Sequence, residues 1–532
     1  MTTPTTQTTS TTDVLVVGAG PTGTALAIDL IRRGVSVRLV DKGVHAFDGS
    51  RAKGIQPRTM EVLEDLGAID RILSDGGVYP KMGIHLGPVT VPKRMMAKPS
   101  TSASVPYPDT WLIPQDRTVA ALHSRFVELG GRVELGTELS TYVRAQNGVV
   151  AEVTGPDAAE RITARFLVGA DGGSSRVRKG NDIAFTGSTD DADRMLIVDA
   201  AVDGVDLSRR YWHIWPGLRG RFVGACPLPH TDLFQWMIRL APDEDPPTDV
   251  DAISARIRKQ TRMSGLRLRS VEWRSVFRPN IRLAEAYRRG PVFLAGDAAH
   301  VHTPAGAQGM NTGIGDAYNL GWKLAQVLAG ADDALLDTYE GERRPIAAAV
   351  LGLSTEKYEG MGRLDPSSLS RGTDEQQLTL TYRGGPLAPT ASTDRTAVAA
   401  GDRAPDVVLQ RVDGTAVRLF EILQGPHFTA IAHGPTAETA LASVDWPASG
   451  AAVRRVAVTA RPRAGSSPSS VTENLADPAG AFARTYGLVG DAIVLIRPDG
   501  YIGAIATSDL TSSTAAAIRA LTGTPFTSPA DR

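Results

Sequence analysis

Three glycines near the start of the chain have the spacing of a pyrophosphate-binding turn. Gly18, Gly20 and Gly23 follow the apolar run DVLVV, which predicts a buried strand, and open the segment TALAIDLIRRG, which predicts a helix. The unpaired N–H groups and the dipole of a helix N-terminus favour an anion. Asp41 ends the next predicted strand, where its carboxylate would accept hydrogen bonds from an adenosine ribose. The segment therefore predicts a βαβ unit that binds a dinucleotide.

A second glycine-rich stretch, GDAAHVHTPAGAQGMNTGIGDAYNLG, contains six glycines between Gly296 and Gly321. Glycine lets a flat ligand lie close to the main chain, and this is our interpretation of the stretch. His300 and His302 flank a single valine, but no third ligand with clear spacing accompanies them. The sequence therefore predicts no metal site.

The first motif does not distinguish NAD from FAD, so the identity of the dinucleotide has to be inferred from other stretches of the sequence. Arg51 lies in a glycine-containing loop before a predicted helix, and Gln115 precedes another amphipathic helix. Asp171 and Gly172 end a buried strand, and Arg178 follows in the sequence DGGSSRVR. No second G-x-G-x-x-G follows a predicted strand, which argues against a separate NAD(P)H domain.

Overall composition indicates several globular domains with small-molecule partners. The 532 residues carry 57 basic and 58 acidic side chains, a net charge of −1 that gives no drive toward nucleic acid or a membrane surface. The single cysteine, Cys226, excludes an intramolecular disulfide and is consistent with a cytoplasmic location. The polar start MTTPTTQTTSTT, residues 1–12, predicts a disordered tail without a secretion signal.

Composition also changes along the chain. Residues 13–180 and 281–385 predict one α/β domain with a helical extension, whereas the aromatic alternation in residues 181–280 predicts an antiparallel sheet that binds a flat substrate. Residues 386–400 predict a linker, and strands alternate with helices in residues 401–532.

Taken together, three motifs resemble the fingerprints of class A flavoprotein monooxygenases, the aromatic hydroxylases with the para-hydroxybenzoate hydroxylase fold. They are the G-x-G-x-x-G turn with Asp41, the D-G-x-x-S-x-V-R of Asp171 to Arg178, and GPVFLAGDAAH, which ends in Gly296 and Asp297. The resemblance covers residues 13 to about 350. The remainder, opened by GDRAPD, resembles the thioredoxin-like domain of the phenol hydroxylase and polyketide hydroxylase branch, here without redox cysteines.

The resemblance implies a mixed α/β fold, a Rossmann-like FAD-binding domain interleaved with an antiparallel β-sheet substrate domain, and a C-terminal thioredoxin-like domain. It implies FAD as cofactor and NAD(P)H as a transient co-substrate. The residues implied to bind the cofactor are Gly18, Gly20, Gly23, Asp41, Arg51, Gln115, Asp171, Arg178, Gly296, Asp297, Gly309, Met310 and Asn311. A helix starting near Asn311 would direct its positive end at the reduced flavin. The family usually has two adjacent glycines where this chain has Gly306-Ala307.

The reaction implied by the family is hydroxylation of an electron-rich ring by a flavin C4a-hydroperoxide formed from O2. The catalytic candidates are Arg51, Pro304, His213 and Tyr211, and Tyr318 is a further candidate for ionising a phenol. Lys53 stands where phenol hydroxylases have an acidic residue, which favours a polycyclic, polyketide-type phenol.

Alternatives remain open on the same scaffold. They are a simple phenol hydroxylase, a Baeyer–Villiger or epoxidising oxygenase, and, from another class, a catalytically idle flavin-binding or assembly module. The expected partners are an aromatic substrate and O2, with neither nucleic acid nor membrane, and the protein is expected to be a monomer or homodimer.

Overall fold

The structure is a computed structural model that describes residues 8–95, 104–303, 308–362, 372–389, 397–461 and 473–523. It confirms the predicted mixed α/β class. The strands are β1 (Thr8–Val17), β2 (Val37–Asp41), β3 (Gly54–Ile55), β4 (Gly77–Val78), β5 (Lys81–Leu86), β6 (Val89–Lys93), β7 (Trp111–Leu112), β8 (Val133–Leu135), β9 (Glu138–Ala145), β10 (Gly148–Thr154), β11 (Ala159–Gly169), β12 (Phe185–Thr189), β13 (Met195–Asp203), β14 (Tyr211–Pro216), β15 (Phe222–Pro227), β16 (Phe234–Arg239), β17 (Arg267–Phe277), β18 (Asn280–Ala284), β19 (Arg288–Arg289), β20 (Val292–Leu294), β21 (His300–Val301), β22 (Val408–Gln410), β23 (Ala416–Arg418), β24 (Phe428–His433), β25 (Val453–Thr459), β26 (Glu473–Ala476), β27 (Ala492–Ile496) and β28 (Ile502–Ala506).

The helices occupy the segments between these strands. They are α1 (Pro21–Ile31), α2 (Pro57–Asp65), α3 (Ile69–Asp75), α4 (Gln115–Glu128), α5 (Arg176–Gly180), α6 (Val250–Thr261), α7 (Gly309–Leu328), α8 (Asp337–Gly362), α9 (Leu419–Leu423), α10 (Pro435–Ser443), α11 (Ala481–Tyr486) and α12 (Leu510–Thr522). None of the helices in the described ranges is long and apolar enough to cross a membrane.

The first sheet forms the dinucleotide-binding core. Its strand order is β19-β20-β11-β1-β2-β8, with β10 and β9 added beside β11. Strands β20, β11, β1, β2 and β8 run parallel, and their buried Val, Leu and Ile side chains pack against α1, α4 and α7. The βαβ unit predicted from the glycine turn is therefore present.

The predicted disordered tail is wrong for its last five residues. Residues 8–12 extend β1 and pair in parallel with residues 160–164 of β11, which is long enough to supply partners along this whole stretch. Threonine is favoured in strands, and Thr12 also donates a hydrogen bond to the Ser36 carbonyl (3.0 Å). Residues 1–7 lie outside the described part of the chain.

The second sheet, the substrate sheet, has the order β17-β13-β16-β15-β14-β5-β6. Five of its strands come from the predicted segment 181–280, and its remaining two, β5 and β6, come from residues 81–93. The assignment of residues 81–93 to the FAD-binding domain is therefore corrected. Strand β5 joins through a parallel pairing with β14, a non-local contact that local patterning does not reveal.

The third sheet lies in the C-terminal domain, with the order β23-β22-β26-β25-β24-β27-β28 and helices α10 and α12 packed together against it. Buried ion pairs attach this domain to the helices of the first. Arg497, which follows β27, donates to Glu342 of α8 at 2.6 and 2.9 Å, and Lys323 of α7 donates to the same carboxylate at 2.8 Å. All three side chains are almost completely buried.

Candidate functional site

The three glycines of the first turn have three different surroundings. Gly18 has φ +108°, and a Cβ there would overlap the Ala170 carbonyl on the neighbouring strand. A Cβ on Gly23 would overlap the Gly18 carbonyl, so this glycine lets α1 pack onto β1. A Cβ on Gly20 would meet nothing within 4 Å, and no side chain caps the N-terminus of α1. The turn thus leaves room for an anion at Gly20 alone.

Asp41 fixes the shape of this turn. Its carboxylate accepts hydrogen bonds from the Ala19 and Gly43 N–H groups, both at 2.7 Å. An ionised carboxylate has about four acceptor positions, so two contacts leave capacity for a ribose hydroxyl. His123, which sequence reasoning missed, lies 2.8 Å from the Ala19 carbonyl through Nε2. His123 stands alone in helix α4, so no sequence motif pointed to it.

The N-terminus of α7, like that of α1, has no side-chain cap. Its cap residue, Gln308, makes no side-chain capping hydrogen bond, and the first turn contains no acidic residue. The predicted helix start near Asn311 is confirmed within two residues. The Asn311 side chain accepts from the Gln56 N–H (2.8 Å) and donates to the Gly54 carbonyl (2.9 Å). The N-terminus of this 20-residue helix, with its N–H groups and the positive end of its dipole, is therefore suited to an anionic group.

The other glycines of this stretch are needed mainly for protein packing. A Cβ on Gly296 would lie 2.6 Å from the Thr22 hydroxyl of α1, and a Cβ on Gly313 would overlap the same hydroxyl. One on Gly321 would overlap the Asp29 carboxylate. The interpretation that a flat ligand explains these glycines is therefore corrected at these positions, because α1 lies directly against α7. Residues 304–307, with the predicted Pro304, lie outside the described residues.

A buried carboxylate positions the strand end that carries Asp297. Asp316 of α7 accepts from the Gly296 N–H (3.1 Å), contacts His300 Nε2 (2.7 Å) and accepts from Arg343 Nε (2.8 Å). Burial opposes ionisation, but His300 and Arg343 together hold the pKa of Asp316 below its ordinary value. His300 is thus a structural residue of the strand end.

Asp297 and His302 lie together beside the start of α7. A Cβ on Gly309 would lie 3.3 Å from the His302 ring and 4.0 Å from the Asp297 carboxylate. His302 Nε2 is buried without a hydrogen-bond partner among the described residues. Burial and the neighbouring His300 lower the pKa of His302, which favours a neutral ring. Sequence reasoning considered His302 only as a metal ligand and missed it as a site residue.

The remaining predicted cofactor residues form two groups: some lie near the protein surface, and one is buried in the protein around the site. Arg51 is exposed. Gln115 Oε1 accepts a hydrogen bond from the N–H of Ala52, the residue after Arg51 (3.1 Å). Asp171 Oδ2 accepts from the N–H of Arg176 (2.7 Å), while its buried Oδ1 has no partner among the described residues.

Arg178, by contrast, is buried in the protein around the site. It donates to the carbonyls of Ala298 (2.9 Å) and Gly173 (2.8 Å), and its guanidinium lies 3.8 Å from the centre of the Phe185 ring. In this structure Arg178 braces the strand ends, and its predicted contact with cofactor stays a prediction.

The substrate sheet has two faces, and strand pairing assigns residues to each. Gln235 on β16 donates to the Ser50 carbonyl (2.9 Å) and accepts from Lys53, so its face is directed at the loop before β3. This loop lies near the first turn of α7, because Asn311 donates to the Gly54 carbonyl. Directly paired residues share a face, and Gln235 pairs with Cys226. Trp212 and Cys226 pack in one apolar cluster on this side.

His213 and Tyr211 lie on the opposite face, so this geometry does not support their catalytic role, which stays a prediction. His213 pairs with Ala225, which pairs with Trp236, and the Trp236 side chain packs against α6 on the far side of the sheet. His213 Nδ1 lies 2.8 Å from His85 Nε2, and its Nε2 lies 2.7 Å from a backbone carbonyl. Tyr211 shares this face because strand side chains alternate.

Tyr318, the further candidate, is also a structural residue. Its hydroxyl donates to Asp65 at 2.7 Å inside the contact between α7 and α2. Burial raises the pKa of Tyr318 well above its ordinary value, and the nearby Asp65 adds to this effect. A phenol held neutral in this way is unsuited to removing a proton from a substrate.

Comparison with known proteins identifies the class to which this site belongs. Residues 11–354 match the family model described as FAD binding domain, and residues 401–521 match the HcaD C-terminal domain. The first match covers well over half of the chain. The chain therefore belongs to the FAD binding domain family.

Full-length relatives are flavin-dependent oxygenases. The chain is 37% identical over 504 residues to a flavin-dependent monooxygenase of Mycobacteroides abscessus, covering 94% of this chain and 98% of that protein. It is 32% identical to the 12-dehydrotetracycline 5-monooxygenase/anhydrotetracycline 6-monooxygenase of Streptomyces rimosus, covering 92% and 94%. The protein is a FAD-dependent aromatic monooxygenase.

Solved structures agree over nearly the whole chain. The anhydrotetracycline hydroxylase from Streptomyces rimosus superposes with a TM-score of 0.75 at 30% identity, covering 97% of this chain and 100% of that one. Aklavinone-11 hydroxylase in complex with FAD and aklavinone gives a TM-score of 0.77 at 25% identity, covering 96% and 99%. The predicted class A aromatic hydroxylase fold with its C-terminal domain is thereby confirmed.

The described residues fit FAD. Two helix ends, those of α1 and α7, present backbone N–H groups that no side chain caps. Gly20 leaves open space where a pyrophosphate approaches, and two buried polar atoms, Asp171 Oδ1 and His302 Nε2, lack protein partners among the described residues. Buried polar atoms are usually satisfied, so these are suited to a bound polar group.

Proposed function

We propose that this monooxygenase uses NAD(P)H and O2 to hydroxylate a fused-ring phenolic compound. Two features of the site carry the proposal. One is the α7 N-terminus, which has no side-chain cap, and the other is the apolar face of the substrate sheet, which carries Trp212 and Met237. Relatives of nearly full length support a polycyclic substrate, because several are named for tetracycline, tetracenomycin or aklavinone compounds, although one is named for the single-ring phenol pentachlorophenol.

The chain's own residues bind and orient the reactants in this proposal. When bound, FAD supplies hydride acceptance from NAD(P)H and activation of O2. The N–H groups around Gly20 would hold the pyrophosphate, and the N–H groups and dipole of the first turn of α7 would stabilise negative charge on the flavin ring. The apolar sheet face excludes water from the reacting centre.

The sheet face also suits a flat aromatic ring. Trp212 contacts Tyr79 with ring centres 6.0 Å apart, and Ile214 and Met237 pack half-buried against the same cluster. Half-buried apolar groups beside rings offer a wide surface for stacking. The loop residue Lys53 borders this surface, where a simple-phenol enzyme would have an acidic side chain.

The test begins with an absorbance spectrum of purified protein, followed by NADPH and NADH oxidation with and without fused-ring phenols such as anhydrotetracycline. We expect a flavin spectrum, faster oxidation with substrate, and a product that gains one oxygen as a ring hydroxyl. Oxygen inserted next to a carbonyl would instead favour the Baeyer–Villiger alternative. Protein that binds FAD but shows no substrate-stimulated oxidation with any phenol would favour the idle module.

A further inference from the structure

One ring nitrogen beside the start of α7 has no partner among the described residues. His302 Nε2 is closed off from solvent, although the side chain as a whole is only half-buried. It lies 3.4 Å from the position that a Cβ on Gly309, the first residue of α7, would take, and the Asp297 carboxylate lies 4.0 Å from the same point. His302 Nε2 and Asp297 are therefore neighbours at the helix end that fits the flavin.

The other ring nitrogen of His302 shows where the proton lies. Nδ1 is 3.1 Å from the Thr303 carbonyl oxygen, which can only accept, so Nδ1 carries a hydrogen and donates it. Burial and the neighbouring His300 lower the pKa of His302, and this effect exceeds the opposing one of Asp297. In the resulting neutral ring Nε2 has a lone pair and no hydrogen. It can therefore accept a hydrogen bond but cannot donate one.

Packing fixes the place of this acceptor. The His302 ring lies parallel to that of His300, with centres 6.3 Å apart and 4° between the planes. Asp316 holds His300 through Nε2 at 2.7 Å, and the Thr303 hydroxyl donates to the Ser354 carbonyl of α8 at 2.9 Å. The ring of His302 thus lies between anchored neighbours, and Nε2 keeps its position beside the start of α7.

An acceptor of this kind restricts the ligand that satisfies it. Buried polar atoms are usually hydrogen-bonded, so the group bound here has to offer an N–H or an O–H. A phosphate offers mainly acceptor oxygens. The flavin end of FAD offers donors of two kinds, the hydroxyls of the ribityl chain and the N3–H of the ring.

We propose that His302 Nε2 accepts a hydrogen bond from the flavin end of FAD, given by a ribityl hydroxyl or by the ring N3–H. The inference goes beyond the proposed function, because it concerns recognition of the cofactor and holds for any substrate. His302 acts here as a binding residue, and Asp297 is a second acceptor beside it.

The contact also makes the affinity for FAD depend on pH. A protonated His302 carries a hydrogen on Nε2 and cannot accept, so FAD binds the neutral ring more tightly. Because the pKa of His302 lies below its ordinary value of 6.5, the affinity is complete above pH 6.5 and falls as the pH decreases through the lowered pKa. The titratable groups that face His302 are His300 and Asp297, and behind His300 lies Asp316, which is paired with Arg343.

The test measures FAD dissociation constants by fluorescence titration of the full-length protein after removal of FAD. His302→Phe keeps a ring and removes the acceptor, which leaves a flavin donor unsatisfied, so we expect the dissociation constant to rise roughly tenfold. His302→Gln keeps an oxygen that accepts but does not titrate. It is expected to recover most of the affinity and to lose the pH dependence. His427→Phe removes a half-buried histidine of the C-terminal domain, whose pKa burial also lowers, and should match the wild type.

Analogues of FAD identify the donor. One is methylated at N3, and each of the others lacks one ribityl hydroxyl. Effects of two groups that share a hydrogen bond do not add, whereas those of independent groups do. We expect one analogue to bind the wild type roughly tenfold more weakly than FAD and to lose most of this difference in His302→Phe. The identity of that analogue distinguishes the ring N3–H from a ribityl hydroxyl.

Two outcomes overturn the contact. One is His302→Phe that binds FAD as tightly as the wild type, and the other is a loss of affinity for every analogue that is the same in His302→Phe as in the wild type. If His302→Phe does not fold, the wild type decides: an identical pH profile for FAD and for all analogues overturns the contact, and loss of the pH dependence with one analogue supports it. Protein that binds no FAD at any pH would contradict the proposed function itself, whereas either negative result with normal FAD content and substrate-stimulated NADPH oxidation removes only the contact.

Discussion

Gly20 and Gly23 are three positions apart, but only one of them faces open space. Gly20→Ala adds a methyl where no atom lies within 4 Å, at a backbone φ of −73° that alanine adopts freely. We expect its unfolding free energy to stay within about 0.5 kcal/mol of the wild type. The methyl occupies the approach of the pyrophosphate, so FAD affinity should fall about tenfold or more.

Gly23→Ala is the matched comparison. Its methyl would overlap the Gly18 carbonyl, so we expect a loss of about 3 kcal/mol in stability, as for overpacking. Urea unfolding of the FAD-free proteins and FAD titration separate the two effects. Equal stability losses in both variants would contradict the assignment of Gly20 to the ligand.

Tyr211 tests which face of the substrate sheet is used. Removing a general acid or base costs about 10²–10⁴ in rate. Since Tyr211 lies with His213 on the face away from the flavin site, we expect Tyr211→Phe to keep kcat/KM within about twofold. Steady-state NADPH oxidation with a hydroxylated substrate measures this. A loss of a hundredfold would return Tyr211 to the catalytic residues.

At the scale of elements, the contact between His85 of β5 and His213 of β14 makes the stability of this strand pairing depend on pH. Burial, with a contribution from His213, lowers the pKa of His85 from 6.5 to about 4. The unfolded chain therefore binds more protons between these pH values, and stability rises with pH there. The stabilising contribution is complete above about 6.5 and is lost as the pH falls toward 4. Burial also lowers the pKa of His213, so its contribution has the same sign.

His85→Phe keeps a ring in the stack with Trp215, whose centre lies 4.6 Å from that of His85. We expect the Tm of this variant to decrease less on acidification from pH 6.5 than that of the wild type. Differential scanning calorimetry over the pH series measures the difference. Parallel Tm curves would show that His85 is not the titrating group.

The sequence predicted local elements well and non-local relations poorly. The turn at Gly18, Gly20 and Gly23 and the start of α7 follow from residues close together in the chain, so their patterns sufficed. Alternation in β14 places Tyr211 and His213 on one face, but Trp212 and Trp215 are both buried, so hydrophobicity does not say which face meets the flavin site. Which face of β14 meets the flavin site depends on how β14 pairs with strands that are distant in the sequence.

At the scale of the whole molecule, the C-terminal domain is held by buried charges. Arg497→Met would leave Glu342 with Lys323 and Asn319 but without its two arginine hydrogen bonds. Breaking a buried pair costs about 3–5 kcal/mol. We expect a lower Tm and separation of one calorimetric transition into two, because the contact between domains weakens. Arg411→Met breaks a pair that is partly exposed and should cost about 0–1 kcal/mol. A single transition unchanged in Arg497→Met would show that other contacts hold the domain.

The origin of the substrate sheet in two separate stretches of chain limits how this enzyme can be recombined with its relatives. A chimaera that exchanged residues 181–280 alone would pair a foreign β14 with the resident β5, and the register from Tyr211 to Ile214 would have to match Lys81 to Ile84. A mismatch of one residue would turn Met82 away from Trp212 and reverse the side chains along β5. Crossover points that keep residues 81–93 together with residues 181–280 are therefore the ones that preserve the pairing of β5 with β14.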